Sequence, residues 1–376
     1  MGVALLVWLL VTWLFAQAFE PSVSLGDLIG YWSTGRVFWQ GGNPYSSGNL
    51  LPVQRAEGWI ETAPMMVWAP PWVLAITVVL GLMPFWTARM VWLAASVGLL
   101  IVASDYLWRF CGGEPGLSWV GWLAGILFAP ATVTLLMGQF SILLLAGVVG
   151  FLWAIQKGHD GAAGAFLALV AIKPHVLYVF LIVIALWVWQ ERRWRILASA
   201  VACLLLVTGL VLALNPAVRW ESIVEAGGPL NKSGVPTVGY ALRLCFGPAW
   251  LQFVPTIVGA ALTLWLWRRW RGRFNWREHL SVVLLLSVAT MPFGWVFDMA
   301  ALLPVAIAML ARPGRRLLAV SGLALVDVVL VLQWSRGVSQ FSGVWIPFAV
   351  ALLYRLHSRR HVWPAWLVGR VSRWTQ

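Results

Sequence analysis

Apolar residues in this chain run in long unbroken blocks, and short polar patches rich in Arg separate them. A helix needs about 20 mostly apolar residues to span a bilayer, fewer where the protein is locally thin. The second half of the chain meets that rule near 175–189, 196–214, 251–267, 279–293, 299–311, 317–333 and 343–354. The patches at 192–195, 268–277, 312–316 and 355–360 together hold 14 Arg and fall on alternate sides, whereas the loops between them hold only Arg219, Lys232, Arg243 and Arg336. This bias predicts that the four patches and the C-terminus face the cytoplasm. The outer face then receives the loop 215–250, the turn 292–298 and residues 334–342. Residues 156–160 are cytoplasmic on this scheme, so Gln139 and the turn 173–175 lie near the outer face.

The first half requires one more inference. A retained helix over 3–19 runs outward, which puts the polar stretch 20–65 outside. Three apolar runs follow before Gln139, near 66–84, 87–107 and 118–136, although the topology requires an even number of crossings. One run must be re-entrant or broken. Pro130 selects 118–136, and non-helical backbone at that depth is tolerated where it lines a cavity. The expectation is an all-α polytopic membrane protein of about 11–13 transmembrane or re-entrant segments. It forms one domain over 1–376, without a fixed-period repeat or half-to-half similarity.

Composition agrees. Of 376 residues 61% are hydrophobic and only 10% charged, with mean hydropathy +0.83, far from the roughly one-quarter charged content of soluble domains. The net charge of +13 resides mostly in the Arg patches and does not indicate nucleic acid. Cys111, Cys203 and Cys245 are too scattered for a disulfide framework or a zinc site.

Residues 24–40 carry the sharpest local signal. Leu25, Leu28, Ile29, Trp32 and Trp39 recur at helical spacing, opposite Asp27, Tyr31 and Thr34. Too short and polar to span, the segment predicts an amphipathic helix lying in the interface with its apolar side in lipid. Gly41 and Gly42 end it. Ser24-x-x-Asp27 matches a capping box, so Asp27 has a structural reading beside a chemical one, that of general base toward an acceptor hydroxyl.

The string Asp27-Leu28-Ile29-Gly30-Tyr31 followed by Phe38-Trp39-Gln40-Gly41-Gly42-Asn43-Pro44-Tyr45 resembles the first outer loop of glycosyltransferase family 87. Trp68-Ala69-Pro70-Pro71, Met83-Pro84 with Arg89, Gly138-Gln139, Ile172-Lys173-Pro174 and Pro292-Phe293-Gly294-Trp295 follow in the family's order, covering roughly residues 20–300. The resemblance implies a GT-C-type enzyme of the cell membrane. Such an enzyme moves mannose or arabinofuranose from a polyprenyl phosphate to a cell-envelope glycolipid or polysaccharide at the outer face. The resemblance implies that the family's acidic residue of the first outer loop, its proposed catalytic base, falls on Asp27. Tyr31, Asn43, Tyr45 and Trp295 of these motifs are expected sugar or acceptor contacts. Gln139 at the broken segment reads equally as a sugar or phosphate contact or as a partner for exposed backbone, and Asp298 in the outer turn as a sugar or acceptor contact or as a helix cap. One departure stands out: many members carry His shortly after the Trp matching Trp295, whereas this chain has Val296, Phe297 and Asp298.

A polyprenyl-phosphate sugar also needs a cation at headgroup depth. Lys173 lies inside an apolar run beside His175, and an ionisable group there is costly enough to be functional. Arg36 is the second candidate, and His175 joins them as a donor-phosphate contact. Asp327, inside 317–333, is expected to pair within the bundle. No D-x-D, HExxH or Cys/His cluster offers metal ligands, so neither metal nor cofactor is expected. A transporter or flippase using Lys173 and Asp327 is the alternative, disfavoured by the missing repeats and the large first loop.

Overall fold

The computed structural model describes residues 25–219, 234–337 and 339–358. The expected span over 3–19, Ser24 of the capping box, and residues 220–233 of the second long loop lie outside the described residues. Within them the elements are helical. From the first loop come α1 (Leu28–Trp39) and α2 (Ser47–Ala56), and α3 (Leu74–Gly81) follows a 3₁₀ turn at Pro71–Val73. Next are α4 (Phe85–Phe110), α5 (Ser118–Leu127) and α6 (Ala129–Met137). The hairpin α7 (Ser141–Gln156) and α8 (Asp160–Val170) leads to α9 (Tyr178–Glu191) and α10 (Arg195–Leu214). Beyond the second loop are α11 (Val238–Phe246), α12 (Val254–Trp270) and α13 (Trp276–Thr290). A 3₁₀ stretch, Val296–Leu302, feeds α14 (Leu303–Ala311), and α15 (Arg316–Ser335) and α16 (Ile346–His357) follow.

Among the described residues, four helices are long and apolar enough to cross a membrane: Phe85–Phe110, Arg195–Leu214, Ala249–Trp270 and Arg316–Ser335. The α5–α6 pair, bent by 59°, makes a fifth, and six shorter apolar helices accompany them. This is an all-α polytopic membrane architecture, with helices close to the expected runs. At its centre α14 is buried on every side, as an all-apolar helix must be. It packs on α4, α5, α13, α15 and α16.

The bundle has two chemically distinct ends. At one, Arg316 pairs with Glu114 at 3.0 Å and lies over Trp108, and Arg193 pairs with Asp160. At the other, Arg89 donates to the carbonyls of Leu25 (2.9 Å) and Leu136 (3.4 Å). Helix α4 therefore runs from the Arg89 end to the Arg316 end, and α5–α6 returns.

That path corrects the expectation for the first half. The 118–136 segment is broken, but it crosses. The segment that turns back is 66–84: Trp72 donates to Ala171 O (3.0 Å), and Met83 O accepts from Trp32 (2.8 Å), so both its ends sit at the Arg89 end. Its helical part, Pro71–Gly81, spans about 17 Å at 1.5 Å per residue, roughly half of a bilayer core. The even number of crossings is thereby restored. At the α5–α6 break Pro130 occupies the first turn of α6, where no N–H is needed, and Asp327 Oδ1 accepts from Ala129 N at 3.0 Å. Asp327 is thus the expected buried partner, serving a helix start.

Helix α1 forms where expected but not in the expected setting. It is not laid in lipid: Leu28 through Gly35, Val37 and Phe38 are all buried. The physical reason is its small residues. Gly35 and Gly81 touch backbone to backbone, where a Cβ on either would overlap the other helix, and this close approach seats α3 on α1. On another face the buried Gln54 donates to Ser33 Oγ (2.8 Å) and Met65 O (2.9 Å) and accepts from Met65 N (2.8 Å). The polar stripe of α1 therefore faces protein.

Candidate functional site

Two left-handed glycines shape the site. Gly26 (φ +58°) and Gly138 (φ +68°) lie in adjoining turns, where a Cβ would stand 2.8 Å from Met137 O and 2.7 Å from Leu28 Cβ respectively. Without those atoms the turns close, and Asp27 N donates to Met137 O at 2.9 Å. Arg89 holds the same two turns through Leu25 O and Leu136 O. Asp27 and Gln139, 112 residues apart in sequence, are brought side by side.

A cavity of about 490 Å³ opens over them, within the roughly 300–1,000 Å³ of small-molecule sites. Its polar lining is Asp27, Tyr31, Gln139, Lys173 and His175; its apolar wall includes Met65, Met66, Trp68, Phe253, Phe293, Trp295 and Phe297. The first loop, the 138–139 turn, the 171–175 turn and the 292–297 turn meet here, the segments that the Arg bias put on one face.

One hydrogen-bond network runs beneath the cavity. Gln139 Nε2 donates to Asp27 Oδ2, while Gln139 Oε1 accepts from Tyr31 OH (2.9 Å) and Lys173 Nζ (3.1 Å). Lys173 Nζ also contacts Asp298 Oδ1 (2.7 Å) and Ser141 Oγ (3.2 Å) and lies 4.7 Å from the Phe297 ring centre. Ser141 Oγ donates to Asp298 Oδ1 at 2.6 Å, and Trp295 N to Asp298 Oδ2 at 3.0 Å. The amide orientation of Gln139 follows from chemistry: ammonium only donates, so Oε1 must face Lys173 and Nε2 must face Asp27. Burial first, then the Asp27 and Asp298 carboxylates, push the Tyr31 phenol well up, so it stays a donor. Its ring stacks on Phe140 with centroids 3.7 Å apart.

Asp27 stands at the N-cap of α1 but makes no side-chain capping bond there; its carboxylate is turned to Gln139 and the cavity. His175 lines the cavity beside Phe293. Burial drives its imidazole down to about 4, with Asp298 opposing and Lys173 adding to the fall.

Four expected contacts stand apart from the cavity lining. Asp298 is 1% exposed and lies under the floor, where it caps the 296–302 stretch and pairs with Lys173. Arg36 lines a separate open groove of about 990 Å³ beside Trp32, Pro84 and Glu57, and donates to Gly81 O at 3.3 Å. Asn43 Oδ1 accepts from the backbone of Tyr45 and Arg219, which orders the turn after α1. Tyr45 is fully buried, its OH donating to Ala69 O at 2.9 Å. Asp298, Asn43 and Tyr45 are engaged by ion pairing, turn formation and packing, whereas Arg36 is exposed on its own groove.

Ser141, Phe140, Phe297 and Arg89 are the residues that sequence reasoning left without a role. A hydroxyl opening the otherwise apolar α7 was the available signal for Ser141. Among the described residues, no three of His, Cys, Asp and Glu come together as metal ligands.

The family model for glycosyltransferase family 87 matches residues 69–332. The match takes in Gln139, Lys173, Trp295 and Asp298 and begins after the loop that carries Asp27. No curated protein and no solved structure matches the chain. With most of its length under that model, and the family-like motifs gathered around one cavity, the chain belongs to glycosyltransferase family 87 and is a membrane-embedded glycosyltransferase.

Proposed function

We propose that the cavity transfers a sugar, mannose in the first instance, from a polyprenyl phosphate to a hydroxyl of a cell-envelope glycolipid or glycan at the outer face of the membrane. The observation that carries this reading is Asp27: a carboxylate on the cavity wall, hydrogen-bonded to the Gln139 amide. In the reaction Asp27 accepts the acceptor O–H proton as that oxygen bonds the anomeric carbon. The bond from the anomeric carbon to the phosphate oxygen breaks, and the polyprenyl phosphate departs with the electron pair. A single displacement inverts the anomeric centre. Phosphate leaves readily as an anion, so the step asks for one base and no second carboxylic acid, unlike glycoside hydrolysis.

Lys173 is the cation of the site, and its charge is shared with Asp298. The pair holds the Lys173 Nζ at the cavity floor, where it meets the leaving phosphate electrostatically. Sugar hydroxyls meet Gln139 and Tyr31, and Trp295 and Trp68 supply aromatic lining for the sugar. The reaction on this reading needs no metal and no cofactor. Family membership leaves no observation that favours the transporter alternative.

The test is transfer of labelled sugar in vesicles containing the purified chain, with polyprenyl-phosphate mannose, polyprenyl-phosphate arabinofuranose and a nucleotide sugar as parallel donors. The reading expects label from a polyprenyl-phosphate donor and none from the nucleotide sugar. Transfer from the nucleotide sugar alone contradicts it.

A further inference from the structure

At the end of the bundle opposite the site, a second polar cavity of about 800 Å³ opens between the end of α4, the α7–α8 turn, the end of α9 and the start of α13. Three guanidinium groups line it, Arg109, Arg193 and Arg277, against an aromatic wall that includes Trp153, Trp187 and Trp276. Arg109 pairs with Asp105, and Arg193 pairs with Asp160 while lying over the Trp187 ring, 5.1 Å from its centre. These two are held in place by partners within the fold. Arg277 rests on the turn that ends α4: a Cβ at Gly112 would stand 3.1 Å from its Nη2. Three Arg against two Asp leave the cavity mouth net positive. Trp153 on its wall is 41% exposed, and the helices that form it carry outward apolar side chains, Val102 on α4 and Trp189 on α9 being 66% and 72% exposed.

We infer that this cavity is a binding site for the headgroup of an anionic phospholipid, with Arg277 as its principal phosphate contact. A basic pocket between membrane helices, walled by amphipathic aromatics on helices with outward apolar side chains, fits a ligand with phosphate at one end and acyl chains at the other. A soluble anion would gain the charge but leave those apolar side chains uncovered. The guanidinium fork suits phosphate oxygens, and the exposed Trp153 indole is a residue type favoured at membrane interfaces. The site does not depend on the transferase reading, because none of its residues belongs to the Asp27 cavity.

The test uses the full chain in detergent, titrated with phosphatidylglycerol or phosphatidylcholine and read by native mass spectrometry as the fraction of protein retaining one lipid. Arg277→Gln, Arg269→Gln and the wild type are compared. Arg269 is a control on α12, stacked on Trp265 4.2 Å away and outside the cavity. The wild type is expected to retain phosphatidylglycerol in preference to phosphatidylcholine. Arg277→Gln should weaken that retention about fivefold, the effect of one arginine at an anionic lipid surface, and Arg269→Gln should leave it unchanged. Equal loss in both variants would overturn the proposal in favour of diffuse charge. So would equal retention of the two lipids, or displacement of phosphatidylglycerol by millimolar inorganic phosphate alone.

Discussion

Replacing Gln139 by Glu tests how the base is held. The substitution keeps side-chain shape and leaves one oxygen to accept from Tyr31 and Lys173, at the present 2.9 and 3.1 Å. It turns the group facing Asp27 from a donor into a second carboxylate oxygen. Two unit charges about 4 Å apart repel by about 4 kcal/mol at an effective dielectric constant near 20. At about 1.4 kcal/mol per pKa unit this is a ceiling of about 3 units, and Lys173 offsets part of it. The expected net effect is a rise of about 1–2 units in the pKa of the base. Because the base acts deprotonated, the acid limb of the pH–rate profile moves to higher pH by that amount, and activity recovers on the alkaline side. Gln139→Met loses the donor without adding charge, so its limb moves less, and transfer falls about 10–100-fold, the worth of a hydrogen bond to a charged group. The assay is transfer of labelled sugar across pH 5–9 for the three proteins, with thermal unfolding as a control on folding. An unmoved acid limb in a well-folded Gln139→Glu variant would refute the link from Gln139 to the base.

Further outcomes follow from the same geometry. Lys173→Met strands the buried Asp298, and Asp298→Leu strands Lys173, so either single change should destabilise by about 3–5 kcal/mol. The double change should restore much of the melting temperature without restoring transfer; a fully active double variant would remove Lys173 from the chemistry. Asp327→Leu uncovers the Ala129 N–H at the start of α6 and should cost about 1.5–3 kcal/mol of stability in calorimetry, with turnover per folded molecule retained.

Much of the helical framework was legible in the chain because long apolar runs and Arg patches report directly on bilayer solvation. The runs near 196–214 and 317–333 fall on α10 and α15 almost residue for residue. What the pattern does not record is where both ends of a run come to rest. Residues 66–84 are apolar enough to read as a span, yet they turn back because Gly35 and Gly81 let α3 lie flat on α1. Helix α1 reads as amphipathic because Asp27, Tyr31 and Thr34 share a face opposite Leu25, Leu28, Ile29 and the Trp residues; its small Gly and Ser residues, which carry no weight in that pattern, allow the close packing. The site was partly legible. Asp27 stood out by its motif, Gln139 by the family string at the end of the broken run and Lys173 by its place inside an apolar run, and they meet. Asp298 stood out too, but its partner lies 125 residues away, and only the fold turns it from a surface ligand into the counter-ion beneath Lys173. Arg36 was selected by charge alone, and charge carries no information about which side of a buried helix it serves.

The most direct measurement is sugar transfer from labelled polyprenyl-phosphate mannose by the wild type and by Asp27→Asn at matched abundance and equal melting temperature. If Asp27 is the base, the variant loses about 10²–10⁴ in rate at pH 7. Undiminished transfer by the folded Asp27→Asn variant would contradict that role.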